Sequence, residues 1–319
     1  MSDFDRDRAS RIAQVFRCPA HPEIGRLAWA EPRRSRANSA GGGRAALVCS
    51  ACDRRYLVHD DIPDLFLGQD RPDDFLEVES RQWDDQAHRY DDKRTQDARY
   101  MAGVQAAVRA LQVRPGEMVL DAACGTGLTI RSYLSPNVRV VGLDLSLASL
   151  HQLRRRLNGD RVDLVRGELS RLPFGDATFD RVLCANAMQH IPDVDQRRLC
   201  ISELARVARP NARVVITAHN WSVPRQSAGW VKEGSAGGHS GQLQYIYRYE
   251  PDEFHRLIGS ALHVERLAAA GFPLPYRLKL SPISRVMEHC LGKLSAAVAY
   301  GDMLVGICRN HASPTQRAG

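Results

Sequence analysis

Residues 118–127 read Met118-Val119-Leu120-Asp121-Ala122-Ala123-Cys124-Gly125-Thr126-Gly127. An apolar run ends in an acid, enters a glycine-rich turn and gives way to a helical pattern. Glycine lets a backbone approach a ligand closely, and the helix behind it offers free N–H groups. Such a loop alone suits NAD, FAD and phosphate ligands. Two features narrow it. A G-x-G-x-x-G loop needs a third glycine at position 130, where Ile130 stands, and the Gly-Lys-Ser/Thr of a Walker loop is missing. The next apolar run, Val140-Val141-Gly142-Leu143-Asp144, also ends in an acid. A carboxylate at that second strand end can accept both hydroxyls of a ribose.

Further runs lie on either side. VDLV (162–165), FDRVLCA (179–185) and ARVVITA (212–218) read as buried strands. Helical patterns such as SLASLHQLRRRL (146–157) and QRRLCISELARVA (196–208) lie between them. Strands alternating with helices predict an α/β fold with a parallel sheet covered on both faces. Upstream, ESRQWDDQAHRYDD (79–92) and TQDARYMAGVQAAVRALQV (95–113) predict two helices, with Pro115-Gly116 ending the second. No internal repeat is visible.

These segments together resemble class I S-adenosylmethionine-dependent methyltransferases over roughly residues 75–309. Asp121 to Gly127 is similar to the first motif of that family and Gly142-Leu143-Asp144-Leu145-Ser146 to the second. Arg166-Gly167-Glu168-Leu169-Ser170-Arg171-Leu172-Pro173-Phe174, then Phe179-Asp180-Arg181-Val182, resemble the third and fourth. Glu203 to Pro210 resembles the helix-to-turn stretch before the fifth strand. The resemblance implies a seven-stranded Rossmann-like sheet whose last strand, near Asp302 to Cys308, is antiparallel. It also implies that Gly125 and Gly127 approach the methionine part and ribose of the cofactor. Asp121 orients the amino group, Asp144 holds the ribose, and Glu168 and Leu169 read the adenine. Ala123, Leu145, Asn186 and Tyr90 complete the implied cofactor set. Two departures stand out: Glu168 takes the place of the usual Asp, and Pro210-Asn211-Ala212 that of a Pro-Gly-Gly turn.

The N-terminal part carries a second pattern. Cys18-Pro19-Ala20-His21 and Cys49-Ser50-Ala51-Cys52 give C-x2-H and C-x2-C. Structural zinc takes four N/S ligands in a tetrahedron, often from two tight turns. A segment of about 60 residues has a marginal apolar core, which a metal would reinforce. The text around these residues, Phe16-Arg17-Cys18-Pro19 and Tyr56 to Leu65, resembles the zinc-ribbon module of tRNA-methyltransferase activator proteins, with His21 where a cysteine is usual. The competing reading is a metal-free β-module with buried thiols. His59 lies too far along its strand to be preferred as fourth ligand.

The expected organisation is therefore a β-rich zinc-ribbon-like module at 14–68, a helical lid and linker at 72–116, and a methyltransferase core at 117–310. A mobile turn is expected at Arg33 to Gly43. Two insertions face the acceptor side. Residues 220–248 mix glycine with aromatics and read as a lid, and residues 272–300 as a long helical crossover that caps the acceptor pocket or pairs subunits.

Acceptor chemistry is placed at His190, after the fourth core strand, and at His239 and Tyr245 in the lid, with Tyr247 beside them. Each competes with a packing role. Trp83 shares the lid helix with Tyr90. An Asn/Asp-Pro-Pro-Tyr turn is missing from Asn186-Ala187-Met188-Gln189, which argues against adenine-N6 or glutamine methylation. Cys184 lies inside a strand and reads as a buried small residue, not a cytosine-C5 nucleophile.

Composition sets the outer limits. The chain has 319 residues, 44% of them apolar and 25% charged, as in an ordinary globular protein. No apolar run approaches the roughly 20 residues of a membrane span, and the first residues lack the apolar stretch of a secretory signal. A cytoplasmic protein with reduced cysteines is expected. The net charge of +7 is dispersed and rests on forty arginines and only four lysines. It permits an RNA partner without pointing to one. The reading is a methyltransferase acting on a small molecule of the quinone or secondary-metabolite kind. An RNA methyltransferase is one alternative, and a non-catalytic scaffold whose zinc ribbon docks a partner is another. The sequence leaves the oligomeric state open, a homodimer included.

Overall fold

The computed structural model describes residues 14–30, 45–68, 75–157, 162–237, 243–273, 282–292 and 294–311. Strands β1 Leu27–Ala30, β2 Ala46–Cys49, β3 Arg55–His59 and β4 Ile62–Pro63 pair in that order, all antiparallel. The turn expected at 33–43 lies outside the described residues. Two helices follow, α1 Phe75–Arg94 and α2 Ala98–Leu111. Then come β5 Met118–Ala122, α3 Ile130–Tyr133, β6 Arg139–Asp144, α4 Leu147–Arg156, β7 Val162–Arg166 and β8 Phe179–Ala185. The chain continues through α5 Val194–Val207, β9 Ala208–His219, α6 Val223–Ser227, β10 Glu233–Gly237 and β11 Leu243–Tyr247. It closes with α7 Pro251–Ile258, β12 His263–Ala270, α8 Pro282–Leu291 and β13 Met303–Arg309.

Seven strands form one sheet in the order β12-β13-β9-β8-β5-β6-β7. Strands β5 to β9 are parallel, and β13 is antiparallel to both of its neighbours. The fold is the expected Rossmann-like α/β sheet with its last strand reversed. Alternation along each strand divides the interior in two. Val119, Val140, Leu164, Leu183 and Val215 pack with Ala107 and Leu111 of α2 and Leu150 and Leu153 of α4. Their sequence neighbours Leu120, Val141, Val165, Val182 and Ile216 pack with Ile201 and Leu204 of α5 and Phe254 of α7.

The helix starts follow from their caps. Asp97, Ser146 and Asp193 each accept backbone N–H groups at the first turns of α2, α4 and α5. The end of α2 differs from expectation. It stops at Leu111 because Gln112 turns left-handed (φ 51°), three residues before Pro115.

The two insertions are described in part. Residues 220–248 hold the helix α6 and a β10–β11 hairpin, with Ser235 opposite Tyr245. Of the long crossover expected over 272–300, the described part is the ten-residue α8 and a single 3₁₀ turn at Ser295–Ala297. Pro282 starts α8, and the amide of Gly292 closes it on the Glu288 carbonyl. A Cβ on Gly292 would lie 2.9 Å from the Ala269 carbonyl. Among the described residues no helix is long and apolar enough to cross a membrane.

The N-terminal sheet shares the core of the large one. Phe16, Leu27, Leu47 and Tyr56 belong to the same apolar cluster as Phe174 and Phe179. The Leu65 amide donates to the Arg166 carbonyl at 2.9 Å and the Arg17 amide to the Pro173 carbonyl at 2.8 Å. The module thereby covers part of the edge strand β7.

Candidate active site

The strand order reverses beside β5, which has β6 on one side and β8 on the other. Open α/β sheets bind ligands outside the carboxyl ends at such a point. A cavity of about 360 Å³ opens there, lined from the ends of β5, β6, β7 and β8 and roofed by α1.

The loop after β5 bends through three left-handed residues, Ala123 (φ 63°), Gly125 (φ 52°) and Gly127 (φ 82°). Gly125 lines the cavity, and its amide donates to Asp144 Oδ2 at 2.7 Å. The Ser146 amide donates to Asp144 Oδ1 at 2.9 Å. Two of the carboxylate's roughly four lone pairs are thus used, which leaves acceptors for a diol. Burial raises Asp144 to about 6, against the pull of those amides. At Gly127 a Cβ would be strained by the left-handed backbone and would fall 2.2 Å from the Leu153 side chain of α4.

Of the residues expected to hold a cofactor, Ala123, Gly125, Asp144, Leu145, Glu168, Leu169, Asn186 and Tyr90 line this cavity. Gly127 and Asp121 are not among the lining residues. Asp121 sits beneath the loop, where its Oδ2 accepts from Thr129 Oγ1 (2.6 Å) and Tyr133 OH (2.9 Å). Its Oδ1 is buried with no hydrogen-bond partner, and burial raises the group to about 7. Pointed inward at the loop's own supports, Asp121 braces the glycine turn.

Helix α1 lays Leu76, Glu79, Trp83, Ala87 and Tyr90 on the cavity, at the three- and four-residue spacing of one helical face. It is fastened on its flank. Asp84 Oδ1 accepts from Ser146 Oγ (2.6 Å) and the Ala148 amide (2.9 Å). Asp91 accepts from Arg131 (2.7 Å), Arg156 (2.6 Å) and the hydroxyl of Thr126. Glu79 was missed in the sequence, although it stands one turn before Trp83 on the same face. Its Oε2 accepts from Trp83 Nε1 at 2.8 Å, and burial raises its carboxyl to about 7.

That shift has a measurable consequence. Folded Glu79 keeps its proton to about pH 7, whereas the unfolded group releases it near 4.5. The folded state binds more protons in this window, so the stabilisation present below pH 4.5 is lost as pH rises through 7. Glu79→Gln keeps an acceptor for Trp83 and is expected to gain on wild type by about 3 kcal/mol between pH 5 and 8. Urea unfolding at both pH values measures this gain. An equal difference at both would show that Glu79 ionises freely.

His190 follows β8 in a 3₁₀ turn. Its Nδ1 lies 3.0 Å from the Tyr245 carbonyl. A carbonyl only accepts, so the proton sits on Nδ1 and Nε2 carries the lone pair. Burial lowers His190 to about 4, so the ring is neutral near pH 7. The Trp83 ring meets it edge-on, with centroids 5.0 Å apart.

Tyr245 does not line the cavity. Its hydroxyl donates to Glu233 and accepts from Arg197, and its contribution to the site is the carbonyl that fixes His190. Arg197 also bonds the Ile191 carbonyl and stacks on Tyr247, which ties the hairpin to the cavity rim. His239 lies outside the described residues. Cys184 is buried within β8, in the packing role expected of it.

The cavity lining is one-signed. It includes Glu79, Asp144, Glu168 and Asp193, with no lysine or arginine among the described residues.

A second cluster lies in the N-terminal module. One ligand atom from each of Cys18, His21, Cys49 and Cys52 falls within 4.8 Å of the others. Cys18 Sγ is 3.8 Å from His21 Nδ1 and 3.9 Å from Cys52 Sγ. Zinc–sulfur and zinc–nitrogen bond lengths in a tetrahedron put ligands about 3.5–3.8 Å apart. Tyr56 OH lies 3.0 Å from Cys18 Sγ. Gly25 leaves the necessary room, since a Cβ there would come within 3.0 Å of Cys49 Sγ. His59 is outside the cluster, with Nε2 3.9 Å from Asp64.

Residues 119–211 match a family model described as a methyltransferase domain. A demethylmenaquinone methyltransferase of Parafrankia sp. is 36% identical over 129 residues, covering 35% of this chain and 50% of that protein. The chain spans about half the length, or less, of the curated relatives it matches. Among solved structures, a chain of the Haloferax volcanii complex between the Trm112 methyltransferase activator and a methyltransferase superposes with a TM-score of 0.52. It has 17% identity and covers 72% of this chain and 98% of that one. The N-methyltransferase NodS of Bradyrhizobium japonicum gives 0.51 at 12% identity, with 75% and 100% covered. At these identities the structural likeness is one of fold.

Proposed function

We propose that the chain is an S-adenosylmethionine-dependent methyltransferase acting on a small-molecule acceptor, with a structural zinc in its N-terminal module. The reading rests on one observation: the cavity at the switch point, with Asp144 open to a ribose and a wall of carboxyl groups around it. The matched methyltransferase domain and the demethylmenaquinone methyltransferase relatives support it and suggest a quinone-like or related acceptor.

S-adenosylmethionine supplies a methyl group already activated by a sulfonium, so the work left to the protein is positioning. The residues fit that ligand. The carboxyl-rich wall attracts a cation, and Gly125, Asp144 and Leu145 lie together at the ribose end. Glu168 and Leu169 form the wall that the resemblance assigns to the adenine, and Tyr90 and Asn186 line the same cavity. Among the described residues the lining offers no lysine or arginine to a phosphate, which favours a neutral small molecule over RNA.

His190 presents a neutral Nε2 beside Trp83, with the Gln189 side-chain amide 3.4 Å away, suited to accept a hydrogen bond from an acceptor hydroxyl and to aim its oxygen. His190→Ala is expected to lower kcat by about 100-fold, in the range of a lost acid–base or orienting group. Cofactor affinity should stay unchanged. A fall in affinity with kcat preserved would instead move His190 to the cofactor side.

The test of the whole reading is methyl-labelled S-adenosylmethionine incubated with the protein and a bacterial lysate, followed by separation of RNA, protein and small metabolites. Label in the metabolite fraction is expected. Label in RNase-sensitive material overturns the small-molecule assignment.

A further inference from the structure

We propose that Arg166 couples the Cys/His module to the cavity, so that metal in the module tightens cofactor binding and bound cofactor tightens metal. The inference rests on the reading of the cavity and the metal set given above.

Arg166 is the last residue of β7, and the chain after it, Gly167 to Ser170, is cavity wall. Its guanidinium reaches three elements at once. Nε donates to the Leu145 carbonyl at 3.0 Å, beside Asp144. Nη2 donates to Ser80 Oγ at 3.0 Å, and that hydroxyl donates in turn to the same Leu145 carbonyl at 3.2 Å. Nη1 donates to Asp64 Oδ2 of the module at 2.9 Å, and the group lies over the Phe66 ring, 4.9 Å from its centroid. A guanidinium is planar and rigid, so these bonds shift together or not at all. The Arg166–Asp64 pair is sheltered, with both side chains 20% exposed, which sets it apart from an ordinary surface ion pair.

The other end of the same wall is pinned as well. Phe16 packs on Phe174 with centroids 5.7 Å apart, and the Arg17 amide holds the Pro173 carbonyl. The wall segment 167–172 is therefore suspended between two module contacts. Both contacts lead back to the metal set. Phe16 and Arg17 immediately precede Cys18. Asp64 follows β4, which pairs with β3, and β3 pairs with the strand that ends in Cys49. A module too small to keep its fold on an apolar core releases both pins when it loses its metal.

The test is equilibrium competition for zinc between the full-length protein and a chromogenic chelator, with and without saturating S-adenosylhomocysteine. Calorimetry of S-adenosylhomocysteine binding runs in parallel. Coupling is reciprocal, so wild type should hold zinc about tenfold more tightly when the cavity is filled. Arg166→Ala and the milder Asp64→Asn should each still bind both ligands but abolish that response. Arg166→Lys, which keeps the charge and loses the planar fork, should restore little of it. A purely structural Arg166 would lower thermal stability in the variants and leave zinc affinity indifferent to the cavity in wild type. That indifference, with S-adenosylhomocysteine binding intact, overturns the coupling alone. Failure of wild type to bind S-adenosylhomocysteine at all overturns the reading of the cavity, and failure to bind zinc that of the metal set.

Discussion

Asp144→Ala is expected to weaken S-adenosylhomocysteine binding by on the order of 100-fold. Hydrogen bonds to a charged acceptor contribute about 1.5–3 kcal/mol each, and a ribose offers two. The substitution also strips the Gly125 and Ser146 amides of their acceptor, so the glycine loop loses the bond that sets its approach to the ligand. Asp144→Asn separates these effects. It keeps one acceptor oxygen and the shape of the side chain, and should cost about tenfold, the charge-dependent part. The pH dependence of wild type gives an independent check. Asp144 releases its proton at about 6, and only the carboxylate accepts from both hydroxyls without competition. Affinity should therefore be full above pH 7 and decline as pH falls through 6, a slope that Asp144→Asn should lack. Calorimetry across pH 5.5–8 measures all three. Unchanged affinity in Asp144→Ala would falsify the placement of the ribose.

Asp144 was legible because strand, acid and glycine loop occur in one order with little freedom between them. The same holds for the sheet. Runs buried on both faces, such as FDRVLCA, have no amphipathic alternative, so their number and spacing predict the parallel core. What the sequence left open depends on contacts between distant segments. Asp121 and Asp144 both end a strand in the same way, yet one faces Thr129 and Tyr133 beneath the loop and the other lines the cavity. Tyr245 carries an obvious hydroxyl, but the fold uses its carbonyl. Glu79 reads as an ordinary charge on a polar helix until Trp83 and the cavity enclose it. Arg166 is one arginine among forty, and only the docking of Asp64, 102 residues away in sequence, distinguishes it. The Cys/His set was legible for the opposite reason, since two tight turns each carry two candidate ligands with fixed local spacing.

That set carries the other large expected effect. Cys49→Ser should abolish stoichiometric zinc and unfold the 14–68 module while the seven-stranded sheet remains. Structural zinc sites in small peptides contribute about 10–16 kcal/mol at pH 7, as much as the whole stability of many domains. The module has little to replace it. Its strands are two to five residues long, and its apolar residues complete a core only against Phe174 and Phe179. Serine in place of Cys49 offers a weaker ligand, because zinc binds the thiolate and a serine hydroxyl stays protonated. His21→Cys should have the opposite result, keeping one zinc per chain in a four-cysteine site. The readouts are metal content of purified protein and limited proteolysis. Wild type should hold one zinc and resist cleavage within 45–68. Cys49→Ser should hold none and be cut there first, with fragments beginning near α1 still folded. A metal-free wild type whose module resists proteolysis as well as before would make the four residues a set of buried thiols, and the module's stability would then have to come from its contact with β7 and the loop after it.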